Sequence, residues 1–141
     1  MPQGLRARIS ILVQLANVDD EFHPRELSFI YGVGLRNNLD LDTIGDIIAS
    51  PEPVIGVEDL TLEEKISLLS DSIQLIQLDG KVLPREVAFC LDMASRLGLG
   101  NPDVRLFIKE AGRVRVGSGN EIKATLTRLI GSVDQDKSTT P

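Results

Sequence analysis

The sequence predicts an all-α fold of about seven helices, and three observations carry that expectation. Apolar residues return at three- and four-residue steps in stretch after stretch, the period of a helix face packed on a core. Residues suited to opening a helix (Pro24, Thr61, Pro84, Asn101) precede several of those stretches, and no segment offers a convincing strand. The third observation is internal. Asp79-Gly80-Lys81-Val82-Leu83-Pro84-Arg85-Glu86 matches Asp19-Asp20-Glu21-Phe22-His23-Pro24-Arg25-Glu26 at the first Asp and at Pro-Arg-Glu, 60 positions apart. The same offset pairs Gln14 with Gln74, Leu15 with Leu75, Phe29 with Phe89, Arg36 with Arg96, Leu39 with Leu99 and Ile48 with Ile108. Matches on both sides of the turn predict two duplicated helical repeats rather than a chance octapeptide.

In chain order, Leu5, Ile9, Leu12, Val13 and Ala16 mark a first helix, thickened by Ile11, Leu15 and Val18. It is nearly apolar all round after Arg8, which predicts a central position. After the acidic turn, Pro24 suits the first helical position, because its missing N–H is not needed there and its φ is already helical. Glu26 falls in the same first turn, where a carboxylate meets unpaired N–H groups. This second helix carries Leu27, Ile30, Tyr31 and Leu35 and stops near Asn37-Asn38. Asp42 is the expected cap of a short third helix with Ile44, Ile47 and Ile48. Ser50-Pro51-Glu52-Pro53 ends it, and the segment to Asp59 reads as loop.

Thr61-Leu62-Glu63-Glu64 has the form of a capping box and opens a fourth helix lined by Ile66, Leu69, Ile73, Ile76 and Leu78. A fifth follows the second acidic turn from Pro84, with Val87, Cys90, Leu91, Ala94 and Leu97, and Gly98 suits its C-cap. Asn101-Pro102 opens a sixth through Val104, Phe107, Ile108 and Ala111. Arg113 to Gly119 alternates briefly and then breaks; it reads as a loop, with a short extended piece as the alternative. Asn120 is the expected cap of a closing helix with Ile122, Leu126, Leu129, Ile130 and Val133. The polar residues from Asp134 on have nothing to bury and are expected to be disordered. The predicted organisation is one domain, 1–133, with a first repeat at 5–50, a linker at 51–60, a second repeat at 61–113, a closing helix at 120–133 and a tail at 134–141.

A chain of 141 residues can bury roughly two-thirds of its unfolded surface. A Leu, Ile and Val core with only 4% aromatic residues fits a small helical protein. No apolar run is long enough to span a bilayer, and the first residues lack a signal-peptide pattern. The single Cys90 permits no internal disulfide, so a cytoplasmic setting is the expectation. A net charge of −6 argues against general nucleic-acid binding. The charge is uneven: residues 19–64 hold twelve acids and two bases, whereas 101–133 hold six bases and three acids. Both can be solvated faces. The first can also meet a cation or basic partner, and the second can dock an acidic one.

The acidic turns have two readings. Locally, Asp19 and Asp79 can accept hydrogen bonds from turn N–H groups, while Glu26 and Glu86 serve helix N-termini. Yet Asp19 and Asp79 follow the C-terminal ends of apolar helices, where the macrodipole disfavours an anion. A bound Ca²⁺ or Mg²⁺ would offset that, and Asp19, Glu26, Asp79 and Glu86 supply oxygen ligands in the right chemical class. The ladder of an EF-hand is absent.

An apolar helix, an Asp-Gly turn and an early Glu in the next helix, all repeated, resembles the TerB-like family associated with tellurite resistance. The residues that carry the resemblance are Gln77-Leu78-Asp79-Gly80-Lys81-Val82 with Glu86, and the likeness extends over roughly Leu5 to Ile130. It implies an all-helical module with internal repeats that binds partner proteins in stress-response systems. It also implies a divalent-cation site at Asp79 and Glu86, and at Asp19 and Glu26. The first turn departs from the pattern in having Asp20 where Gly is usual.

Other chemistry has few candidates. His23, the only histidine, corresponds to Leu83 in the second copy, which points to a turn position rather than a zinc ligand. Cys90 falls on an apolar stripe, as a buried structural thiol does. The expectation is a non-enzymatic module, with a small carboxylate-dependent metalloenzyme and a ligand-free structural domain as the competing readings.

Overall fold

A computed structural model describes residues 3–18, 23–51, 57–78 and 80–139. Among them stand seven α-helices: α1 (Gln3–Ala16), α2 (Pro24–Arg36), α3 (Leu41–Ala49), α4 (Leu62–Ile76), α5 (Pro84–Arg96), α6 (Pro102–Ala111) and α7 (Gly119–Thr139). The described residues include no strand, so the chain is all-α.

The apolar helices α1 and α4 lie against each other at the centre. Ile9, Ile11, Leu12 and Leu15 of α1, with Leu68, Leu69, Ile73 and Ile76 of α4, are all fully buried. Each such side chain contributes roughly 1.5–3 kcal/mol by leaving water. Around this pair, α2 and α3 cover α1, while α5 and α7 cover α4. The bounds of α2 and α5 lie 60 positions apart at both ends, and those of α1 and α4 do so at their C-terminal ends. The packing of the third helices differs: α3 rests on α1, whereas α6 rests chiefly on α5 and α7. The closing helix therefore takes over part of the cover on the second half.

Several helix starts obey their sequence signals. Thr61 Oγ1 accepts the Glu64 N–H at 3.1 Å while Glu64 returns a carboxylate to the Thr61 N–H at 2.9 Å. Asn101 Oδ1 accepts the Val104 N–H at 2.9 Å, and Pro24, Pro84 and Pro102 each stand at a helix start. Two caps are corrected. Asp40, not Asp42, caps α3, accepting the Thr43 N–H at 2.7 Å, because Leu41 already belongs to the helix. Ser118, not Asn120, opens α7. Its hydroxyl accepts the Glu121 N–H at 3.3 Å and Glu121 accepts the Ser118 N–H at 3.1 Å, which is a Ser-x-x-Glu box beginning two residues before the expected cap.

Three further expectations change. The linker expected to be loop holds a 3-10 turn, Val57–Asp59, because Val57 and Leu60 are drawn into the core beside α1. The buried face of α2 runs through Ile30, Val33 and Gly34, while the expected Leu27 and Leu35 are 37% and 48% exposed. And α7 continues to Thr139, past the expected end at Val133 and into the tail read as disordered, since no Gly or Pro after Gly131 interrupts it until Pro141.

Candidate functional site

Of the four predicted site acids, Glu26 and Glu86 stand in the first turns of α2 and α5, each only 6% exposed. Glu26 Oε1 accepts the His23 N–H at 3.1 Å, and Glu86 Oε1 accepts the Leu83 N–H at 2.8 Å. Each carboxylate thus folds back on the residue before its helix, which is the N3 half of a capping box. Asp19 and Asp79 lie outside the described residues, as does a gathering of all four acids. No group of three or more His, Cys, Asp or Glu side chains among the described residues is placed to hold a metal ion. His23 occupies the position before α2 that Leu83 occupies before α5, as expected of a turn residue. Cys90 is fully buried, and burial, helped by the nearby Glu86 charge, pushes its thiol up to about 12. It is inert as a nucleophile at neutral pH.

The second turn is tied to the loop after α6 by Gln77. Its Nε2 donates to the carbonyls of Ala111 at 2.8 Å and Val114 at 2.9 Å, and its Oε1 accepts the Val116 N–H at 3.4 Å. Gly80 turns the chain at a φ of +77°, a left-handed conformation that glycine adopts without a Cβ clash. Beyond this turn α5 shows two stripes. Cys90, Met93 and Ala94 enter the core. Pro84, Val87, Ala88 and Leu91, spaced one helical turn apart, line an outer groove of about 380 Å³ with Val82, where Val82, Val87 and Leu91 also rest half-buried on the core. Lys109, Gly112 and Arg113 form its other wall. A pocket of about 160 Å³ continues it toward Gln77 and Arg115.

A larger concavity lies on another face. A polar cavity of about 520 Å³ is bounded by Arg8 of α1, Arg36 of α2, Ser70 and Asp71 of α4, and Lys123 with the start of α7. Arg8 Nη2 stands 3.7 Å from Asp71 Oδ2, beyond hydrogen-bond length, and the two side chains are 9% and 18% exposed. The Nε of Arg8 is buried with no hydrogen-bond partner among the described residues. Burial pushes the Asp71 carboxyl up to about 6, against the opposing pull of Arg8, Arg36 and Lys123. Those three cations therefore act on one point. Ser70 holds the mouth in place, its hydroxyl donating to the Gly119 carbonyl at 3.4 Å.

Sequence reasoning passed over this cavity, although a signal was present. Arg8 and Asp71 are charges inside the two central helices, and at the 60-residue offset they correspond to Leu68 and Ile11 in the other half. Both put a charge in one half where the other half has a fully buried aliphatic side chain.

No protein-family model matches the chain, and neither the curated proteins nor the solved structures include a significant match. The TerB-like resemblance accordingly rests on the turn residues themselves. Among the described residues no helix is long and apolar enough to cross a membrane.

Proposed function

We propose that this chain is a non-enzymatic helical module that binds a partner protein through the groove between α5 and α6. The observation that carries the reading is the outer stripe of α5. Pro84, Val87, Ala88 and Leu91 repeat at the spacing with which a helix offers one face to another; Val87 and Leu91 also touch the core but stay half-buried, and Pro84 and Ala88 are exposed. The opposite wall ends in Lys109 and Arg113, with Arg115 close by in the adjoining pocket. An occupant that fits is an amphipathic helix with an apolar face and acidic flanks. Its apolar side chains would leave water along the stripe, and its carboxylates would meet the basic rim. The basic excess of residues 101–133 favours the same class of partner. The TerB-like resemblance points to an interaction module as well.

The test is a titration of the full chain with a designed amphipathic Leu/Glu helical peptide, followed by amide chemical-shift mapping. The reading expects perturbations that cluster at Val87, Leu91, Lys109 and Arg113. They should weaken at least tenfold in a Lys109→Glu, Arg113→Glu double variant. A Leu/Lys peptide of the same pattern should bind the wild type poorly. Perturbations scattered elsewhere, or indifferent to the charge reversal, would remove the groove as the docking face.

A further inference from the structure

We propose that the polar cavity between α1, α2, α4 and the start of α7 is a binding site for a phosphate monoester of a small, polar molecule. This site is separate from the α5–α6 groove and does not rest on it.

Arg8 is the main reason. A guanidinium with its side chain only 9% exposed has given up most of its hydration, which is unfavourable unless its donors find acceptors. Here Asp71, at 3.7 Å, is too distant for a hydrogen bond, Glu64 acts on the guanidinium only through its charge, and the Nε has no acceptor among the described residues. A charged group left so incompletely paired, facing a cavity rather than packed protein, is arranged for something that enters from outside.

The surrounding charges define what enters. Arg8, Arg36 and Lys123 come from three different helices, and Asp71 is the single acid among the lining side chains, so the cavity carries a positive excess even with Asp71 ionised. At the mouth, the α7 capping box engages the N–H groups of Ser118 and Glu121, which leaves those of Gly119 and Asn120 at the positive end of the helix dipole. A planar carboxylate would be met by one arginine fork. A phosphate presents oxygens in three directions and matches donors that converge from α1, α2 and α7.

Size and lining narrow the class further. A cavity of about 520 Å³ lies within the range of small-molecule sites, so it admits a group attached to the phosphate. Ser67, Ser70, Gln74 and Asn120 offer hydroxyl and amide groups, and Val33 is the only hydrocarbon side chain in the lining. No aromatic ring lines it to stack on a nucleobase. A polyol or sugar phosphate suits these walls.

The test is isothermal titration calorimetry on the full chain with glycerol 3-phosphate, ribose 5-phosphate, inorganic phosphate and glycerol at one ionic strength. It would be repeated on Arg36→Gln and Lys123→Gln, which lie outside the hydrophobic core, and on Arg8→Gln with folding checked by circular dichroism. The expected result is saturable binding of a monoester but not of glycerol, weakened about tenfold or more by each surface variant with unliganded unfolding midpoints unchanged. Inorganic phosphate binding as tightly as the esters would support the same site with free phosphate as its source. An absence of heat with every phosphate compound would overturn the proposal, and so would equal affinities in wild type and the Arg36→Gln, Lys123→Gln double variant.

Discussion

Gln77 Nε2 donates to the carbonyl of Ala111 at 2.8 Å, which joins the end of α4 to the end of α6 across 34 residues of chain. The same amide also holds Val114 and Val116, so one side chain organises the loop that leads into α7. Replacement by Leu would leave the Ala111 and Val114 carbonyls and the Val116 N–H to find water. The expected loss is about 1–3 kcal/mol. Hydrogen exchange should show it as faster exchange at residues 113–118, with the α1 amides slowed as before.

Asp71 makes a pH prediction. Its folded carboxyl titrates near 6, above the ordinary 3.8, so the native state keeps a proton that the unfolded chain has already released. Its contribution to stability is therefore greatest below the unfolded value and is lost as pH rises toward and through 6. Between pH 5 and 7 the loss amounts to about 1 kcal/mol. Asp71→Asn should flatten that interval in urea unfolding.

Three carboxylates act in the other direction. Asp40, Glu64 and Glu121 are held below their ordinary values mainly by the backbone N–H groups that they cap. Their stabilisation is present above the unfolded carboxylate range and lost as pH falls through the lowered folded values. Wild-type stability should accordingly pass through a maximum between the acid limb and the Asp71 interval. An Asp40→Asn, Glu64→Gln, Glu121→Gln triple variant should show a shallower acid limb, read from unfolding midpoints across pH 2–7.

Glu86 separates a cap from a metal ligand. As a cap its oxygen meets the Leu83 N–H at 2.8 Å, a role that Gln fills as well as Glu. Glu86→Ala should cost about 1 kcal/mol, and Glu86→Gln much less. Thermal unfolding with and without millimolar Ca²⁺ or Mg²⁺ adds the second measurement. A midpoint rise present in wild type and absent from Glu86→Gln would assign a cation to the turn, whereas superimposable curves would leave the carboxylate as a cap.

Gly34 reverses an ordinary rule. Ala normally stabilises a helix interior by about 0.5–1 kcal/mol over Gly. A Cβ at Gly34 would lie 2.6 Å from Ile44 Cδ1, and Ile44 is fully buried with no room to withdraw. Gly34→Ala should therefore destabilise by about 1–3 kcal/mol. Gly131→Ala, where a Cβ meets nothing within 4 Å, should stabilise as the rule says. Chemical denaturation of the two variants gives the comparison.

Much of the fold was legible because its signals are local. Thr61 with Glu64, Asn101, and the prolines at 24, 84 and 102 act on backbone groups within one turn of themselves, so position along the chain suffices to read them. The central burial of α1 and α4 followed from stripes too dense for an exposed helix. Where two local signals competed, the reading slipped by a residue or two, as at Asp40 against Asp42 and Ser118 against Asn120. Val87 and Leu91 were read on one apolar face with Cys90 and do pack against the core. Periodicity does not report how far a neighbouring helix reaches around them, and so not that they stay half-buried along a groove.

The chain's residues by themselves determined that it is helical, where most helices begin, which two are central and that Glu26 and Glu86 sit in first turns. Each of these depends on interactions across three or four residues. The folded arrangement decided the rest: that α6 leaves the outer face of α5 open, that Gln77 reaches the loop after α6, and that Arg8, Arg36, Asp71 and Lys123 share one cavity. These charges lie on four helices, and their meeting depends on crossing angles set by the shapes of the whole core.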